Sequence, residues 1–381
     1  MKSKKYDIKN VLIFFIIAAA IAVISFTIYG TQSIKTTNSH AFEGVRLRIP
    51  FGKYRLNTLS VESVQEVGEV GKPPNVTTRD GGISVKLGNT LVWIFNDTLF
   101  NPKSSDGQNA RSNTAAFANL ATPLAVEESL DAAGAPYQFI ELKQDEKNYN
   151  LQKNKGDDRY ALWPMSAVNI SDDEALIFSL SLKVQPGYLN YDLQGVNIAS
   201  IKKSATDANI IAENVFKKPE ELFVRSALKD GQYIYLYSCD KTKFGCEIAR
   251  VRQDKVTQRS AYTFWNGKKW VSDINAAKKV IDASSSGFSV AWNNYLNQFV
   301  AVYSKTFANE VLVRTASRPE GPWSNQKTLF TGLAPTEQSF DYAAQQHPAL
   351  FKEDGKKMYV SYYRPLGPFT GELRLVEVSL K

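Results

Sequence analysis

The chain has 381 residues, with 46 Lys and Arg against 38 Asp and Glu, and a formal net charge of +8. Hydrophobic residues at 43% and charged residues at 22% are ordinary for a globular protein with a sizeable core. Part of the positive excess sits in the first few lysines, and the rest is scattered without a dense Lys/Arg stripe. That distribution favours a solvated basic surface over a nucleic-acid one.

In chain order, the first element is a basic tail, MKSKKYDIKN, followed by an uncharged apolar run from Val11 to Tyr29. At about 1.5 Å per residue, a helix over this run roughly crosses a bilayer core. The positive flank stays in the cytoplasm and sends the remainder outside. Residues 1–30 therefore read as a cytosolic tail and transmembrane anchor, the rival being a cleaved signal peptide. Residues 31–55 read as a polar tether, and 56–381 as one domain.

The stretch RDGGISVKLGNTLVWIFNDTLF, Arg79 to Phe100, alternates apolar and polar residues about Gly88-Asn89, the pattern of a β-hairpin. A two-residue loop there sets Ile83 opposite Ile94, Ser84 opposite Trp93, Val85 opposite Val92, and Asp80 opposite Asp97. Two like charges facing each other on one strand pair are destabilising unless used. A carboxyl pair at this spacing suits acid–base cleavage of a glycosidic bond, one acid protonated and one ionised. The bland alternative is a turn-capping Asp80 and an Asp97 bonded to local amides.

Further along, RSNTAAF places Arg111 and Asn113 where they either hold sugar hydroxyls or brace a turn. ALWPMSAV and FSVAWNN place Trp163 and Trp292 near strand starts, as sugar-stacking faces or as packing. FVRSAL sets Arg225 in an apolar run, where a charge needs a partner. Cys239 and Cys246 flank DKTKFG between two strand-like runs and suit a loop-tying disulfide on the oxidising side of a membrane. They lack further ligands at zinc spacing. AAQQHPALF contains His347, the only histidine beyond the tether, either a structural hydrogen-bonder or a pocket residue.

Turns near Gly88-Asn89, Asp172-Asp173, Asp230-Gly231, Asn294-Tyr295 and Asp354-Gly355 each precede an apolar strand: LVWIF, ALIFSLSL, YIYLYS, QFVAVYS and KMYVSYY. Five hairpins roughly 65 residues apart fit four-stranded blades around an axis. The expected fold is all-β, a five-bladed β-propeller behind an N-terminal transmembrane helix, against the alternative of a large β-sandwich. SLDAAGAPYQFIEL holds a short helical turn at most. In a propeller the inner strands start at an axial pocket, which places Asp80 and Asp97 at its mouth. The P-loop, dinucleotide, H-E-x-x-H and G-x-S-x-G signatures are missing, as are the S-x-D-x-G-x-T-W turns of sialidases.

Taken together, RDGGISVKLGNTLVWIFNDT, RSNT, LWPMSAV, VRTASRPEGPWS and QQHPALFKEDGKKMYVSYYRP resemble a five-bladed propeller family. This is glycoside hydrolase family 183, formerly a domain of unknown function, whose characterised members are endo-D-arabinanases. The resemblance covers about residues 70 to 381. It implies cleavage of D-arabinofuranose chains by an aspartate pair matching Asp80 and Asp97. One departure is Asn96, where the family commonly has glycine before the second aspartate. The expected protein is a membrane-anchored glycoside hydrolase of the bacterial cell envelope, single-pass, with its C-terminal domain in the periplasm or at the cell surface. Its partners would be a glycan substrate and the membrane, and not nucleic acid. No cofactor is expected, apart from an axial cation near His347 as an option. The competing functions are a non-catalytic glycan-binding propeller and a protein-binding scaffold.

Overall fold

A computed structural model describes residues 59–152, 158–187, 190–217, 222–240, 245–283, 287–336 and 339–381. The apolar run Val11 to Tyr29 and the tether 31–55 lie outside them. No helix of the described residues is long and apolar enough to cross a membrane.

The hairpin periodicity read from the sequence becomes five antiparallel meander sheets. The first contains Ile83–Leu87, Thr90–Phe95, Thr114–Asn119 and Val126–Glu127, and the second Arg159–Asn169, Glu174–Val184, Tyr191–Lys202 and Asn209–Phe216. The third runs Ser226–Asp230, Tyr233–Asp240, Gly245–Arg252, Thr263–Trp265 and Trp270–Val271, one strand more than expected. The fourth is Phe288–Asn293, Gln298–Ser304, Glu310–Ala316 and Lys327–Thr331. The fifth is Tyr342–Gln346, Lys357–Gly367 and Thr370–Leu380, completed on its outer edge by Val61–Glu69 from the start of the domain. A small sixth sheet, Val76–Arg79, Thr98–Phe100 and Ala110–Arg111, extends the first hairpin.

The second strand of each large sheet is apolar on both sides because the sheets stack face to face and bury both faces. Five clusters fill the spaces between them. Val85 and Ile94 meet Leu162 and Ile177 between sheets one and two. Leu180 and Ile198 meet Leu236 and Phe264 between two and three. Tyr237 and Ile248 meet Val290 and Ala301 between three and four. Val300 and Val311 meet Val360 and Val376 between four and five. Tyr359 and Leu375 meet Trp93 and Phe95 between five and one. Two packed sheets would give one such layer, so the β-sandwich alternative fails and the arrangement is propeller-like. Each fully buried aliphatic side chain contributes about 1.5–3 kcal/mol of transfer free energy.

Polar bridges join the same neighbours along the inner strands. Lys86 N–H donates to Asn169 Oδ1 at 3.1 Å, and Ser166 Oγ to the Val224 carbonyl at 2.8 Å. Val290 N–H donates to Ser226 Oγ at 2.9 Å, and Gln346 N–H to Ser289 Oγ at 3.0 Å. Ser84 Oγ and His347 Nδ1, 2.8 Å apart, link the last inner strand to the first.

Residues 129–142 contain no helical turn; bridges at Leu130–Pro136 and Ile140–Ala208 replace it. A helix follows at Gln144–Asn150, solvent-facing with no buried residue. Asp145 and Glu146 in its first turn favour its N-terminal dipole. Cys239 faces Cys246 across the pair Tyr233–Asp240 and Gly245–Arg252, and the two are disulfide-bonded as expected.

Candidate active site

The first hairpin has the register that its Gly-Asn turn dictates: Ile83 faces Ile94, Ser84 faces Trp93 and Val85 faces Val92. Gly88, at φ 59, supplies the left-handed residue of that turn. Beyond Ile83 the strands bend. Asp80 N–H donates to the Asp97 carbonyl at 2.9 Å, while Asn96 N–H donates to the Asp80 carbonyl at 2.8 Å. Two residues, Asn96 and Asp97, thus oppose the single Asp80, as in a β-bulge. Gly81 and Gly82, at φ 73 and 145, carry the bend on the other strand. A Cβ on Gly82 would stand 2.4 Å from Leu373 Cδ2, so a larger residue would have to displace that side chain in addition to bearing the positive φ. The kink separates the small sheet from the first large one and holds both acids at the junction.

All five large sheets converge there on an open pocket of about 160 Å³. Its lining comes from Asp80 to Ile83, Pro164 and Met165, Arg225, Gly287 and Phe288, and Tyr342, Ala343 and Gln345, with Asn96 beside Asp80. Most of these residues lead into or open the inner strands, while Pro164 and Met165 lie in the middle of Arg159–Asn169.

The two acids occupy opposite surroundings. Burial raises the Asp80 pKa above the usual carboxylate value, and the Asp97 charge adds to it. A hydrogen bond from Tyr342 and the Gly81 N–H, 2.8 Å from Oδ1, oppose the rise without cancelling it. Asp97 instead accepts from Arg159 Nη2 at 2.6 Å and from Trp163 Nε1 at 2.9 Å, both donors stabilising negative charge on it. Tyr342 packs on Tyr363 with ring centroids 4.8 Å apart, and the Tyr363 hydroxyl bonds Thr78 Oγ1 at 2.6 Å. Behind the kink, Arg79 pairs with Glu128 at 2.7 Å, both almost fully buried. An acid whose pKa burial raises, beside a carboxyl that accepts from a guanidinium and an indole, is an arrangement suited to general acid catalysis with an opposing base or nucleophile.

Of the other residues singled out in the sequence, Arg225 lines the pocket and Trp163 holds Asp97. The remainder need correction. Arg111 is committed to Asp106, at 3.0 and 3.2 Å, outside the pocket lining. Asn113 is fully buried: its amide donates to the Ile140 and Leu162 carbonyls and accepts from Ile140 N–H, pinning a loop to the second sheet. Trp292 lies four residues down its strand from pocket-lining Phe288, about 13 Å away, and its Nε1 bonds Asn294. His347 is fully buried, with Nδ1 on Ser84 and Nε2 on Ser361, both at 2.8 Å, and burial lowers its pKa to about 3. Both ring nitrogens are therefore engaged, which leaves none for an axial cation. Among the described residues no group of three or more His, Cys, Asp and Glu could hold a metal ion.

Arg159, Tyr342 and Gln345 were missed. Arg159 and Gln345 look like ordinary strand-edge polar residues in sequence. Tyr342 could have been found only by asking which aromatic residue opens the fifth inner strand.

Residues 192–364 match the family model of a domain of unknown function, DUF4185. The aspartate hairpin lies ahead of that match. No curated protein matches the chain. A candidate hydrolase from Bacteroides ovatus ATCC 8483 shares the fold at 16% identity and TM-score 0.59, with 80% of this chain and 87% of that chain covered. The GH43_1 enzyme from Xanthomonas citri complexed with xylose aligns at 10% identity and TM-score 0.49, over 82% of this chain and 89% of that one. An exo-β-1,3-galactanase from Phanerochaete chrysosporium with β-1,3-galactotriose aligns at 14% identity and TM-score 0.47, over 84% and 65%.

Proposed function

We propose that this chain is a glycoside hydrolase whose five large sheets are the blades of a β-propeller. Its substrate is an arabinofuranoside-type glycan of the cell envelope, cleaved in an endo-D-arabinanase-like reaction. The observation that carries the reading is the pair of acids at the kinked end of the first hairpin, Asp80 lining the pocket with its pKa raised and Asp97 beside it, held by Arg159 and Trp163. Asp80 donates its proton to the oxygen of the leaving sugar as the glycosidic bond breaks. Asp97 either attacks the anomeric carbon, forming a glycosyl ester that water then hydrolyses, or deprotonates the attacking water. The arabinofuranoside assignment is supported by the family 183 resemblance of the hairpin and of the fifth-sheet segment. The apolar run Val11 to Tyr29 supports a single-pass anchor in a bacterial membrane, with the catalytic domain outside the cytoplasm.

The full-length chain in detergent, incubated with a panel of arabinans and envelope glycans, should release reducing ends from an arabinan, and Asp80→Asn should not. Retention or inversion is read from the first-formed anomer by NMR. Binding to a panel member without release by the wild type would replace the hydrolase reading with a glycan-binding one.

A further inference from the structure

Four arginines drawn into this fold are paired with carboxylates, whereas Arg250 lies over the Tyr233 and Trp270 rings and Arg314 donates to the Tyr303 hydroxyl and the Ser324 carbonyl. Arg79 meets Glu128 at 2.7 Å, Arg159 meets Asp97 at 2.6 Å, Arg364 meets Glu372 at 2.8 Å and Arg374 meets Glu66 at 3.2 Å. Arg225 is different. Among the described residues no carboxylate pairs with its guanidinium, and the one titratable neighbour that favours its charge is the Tyr191 phenol. Burial lowers its pKa from the ordinary arginine value. Its main chain is fixed, with N–H donating to the Tyr237 carbonyl at 2.9 Å, so the side chain is delivered to one place. That place is the pocket wall, which it shares with Asp80, Asn96, Tyr342 and Gln345. Gln345 is paired with Ser361 in the strand ladder, but its side chain likewise has no hydrogen-bond partner among the described residues.

A desolvated cation without a counter-charge costs stability. It is retained most readily where a ligand supplies the missing anion, and a guanidinium presents the planar fork that receives a carboxylate through two parallel hydrogen bonds. Arg225 is the only cationic side chain in the pocket lining among the described residues. One positive charge balances one negative charge. A phosphate monoester, carrying about −1.5 to −2, would leave excess negative charge in a lining that also contains Asp80.

We propose that Arg225 is the subsite for a carboxylate on the bound sugar, so that the pocket takes a glycan containing a uronic acid residue, with Gln345 donating a second contact to it. This deepens the glycan-active reading of the same pocket and rests on it.

The test uses the full-length chain in detergent and titration calorimetry. The probes are D-glucuronate and D-galacturonate, the methyl ester of each, and D-galactose 6-phosphate. At least one acid should bind ten-fold or more tightly than its own ester. Arg225→Gln should remove that preference by weakening the acid ten-fold or more relative to its ester, and Arg225→Lys should retain part of it. Loss of an unpaired buried charge should not lower the melting temperature of Arg225→Gln. The acid-to-ester comparison in the wild type stands even if a variant folds poorly. Equal affinity for acid and ester, no binding of either acid, or an unchanged preference in Arg225→Gln overturns the proposal. Tighter binding of the 6-phosphate than of both acids also overturns it and reassigns Arg225 to a phosphoryl group. Because binding is measured without turnover, an acid preference persists even if the hydrolase reading fails. Conversely, hydrolysis of a neutral arabinan with no acid preference removes this proposal alone.

Discussion

Asp80 and Asp97 share a backbone hydrogen bond of 2.9 Å, yet their carboxyls have opposite surroundings, one in the lining of the open pocket and the other against a guanidinium and an indole. Replacing either acid with its amide keeps the shape and removes the chemistry. Asp80→Asn and Asp97→Asn should each lower kcat on a cleaved glycan by roughly 10³-fold or more, since each removes a complete acid or base role. Asp80→Asn should also leave the protein folded and, at neutral pH, slightly more stable. Near-normal turnover in both variants would remove the hairpin from the mechanism.

Tyr342 donates to Asp80 and holds its pKa below what burial alone would set. Tyr342→Phe removes that opposition, so the Asp80 pKa rises further and the acid stays protonated to higher pH. The basic limb of the pH–rate profile should move upward. A downward move, or none in a variant of normal kcat, would show that Asp80 is not the proton donor.

His347 is neutral in the fold because burial lowers its pKa from 6.5 to about 3. The unfolded chain takes up a proton below pH 6.5 and the folded chain does not. The stability it contributes is complete above the unfolded value and is lost as pH falls toward 3. Wild-type protein should lose on the order of 3–5 kcal/mol over that interval from this residue. His347→Gln should cost about 2–4 kcal/mol at pH 7.5 through the Ser84 and Ser361 hydroxyls it leaves behind, and should flatten the acid slope. Denaturant melts across pH read both. Specific activity of the folded fraction should be unchanged.

Asp341 is buried with both carboxyl oxygens unpartnered, and its pKa is raised to about 7 by that burial, with Glu66 pushing the same way and Arg364 opposing. Its native state holds the proton more tightly than the unfolded chain does. Its contribution is therefore fully present below the unfolded pKa and is lost as pH rises through about 7. Asp341→Asn should stabilise the protein at pH 8 by roughly 2–4 kcal/mol and change little at pH 4. Equal effects at the two pH values would mean the side chain finds a partner.

The Cys239–Cys246 bond closes a short hairpin loop, and losing it should cost about 2–3 kcal/mol. Cys239→Ser with Cys246→Ser should lower the denaturant midpoint by the corresponding amount without changing turnover. Mass spectrometry after alkylation under non-reducing conditions should find no free thiol.

Strand identity, hairpin register and the count of repeats were written in the sequence alone. They depend on interactions between neighbours: alternation places side chains on opposite faces, and a Gly-Asn turn pairs Ile83 with Ile94 and carries the same register out to Arg79 and Thr98. Cys239 opposite Cys246 is legible for the same reason, and so is the presence of two acids at one hairpin end. What the acids do there was settled only by residues far along the chain. Arg159 and Trp163 reach Asp97 across 62 and 66 positions, and Tyr342 arrives from the far end of the domain. His347 and Ser84 meet across 263 positions, which turned a pocket candidate into a buried strut. Asn113 became a brace because the stacked second sheet brought Leu162 over it. Val61–Glu69 joined the last sheet because Thr370–Leu380 offered an unpaired edge. Periodicity has a range of a few residues, whereas the stacking of five sheets around a pocket decides which distant side chains share it.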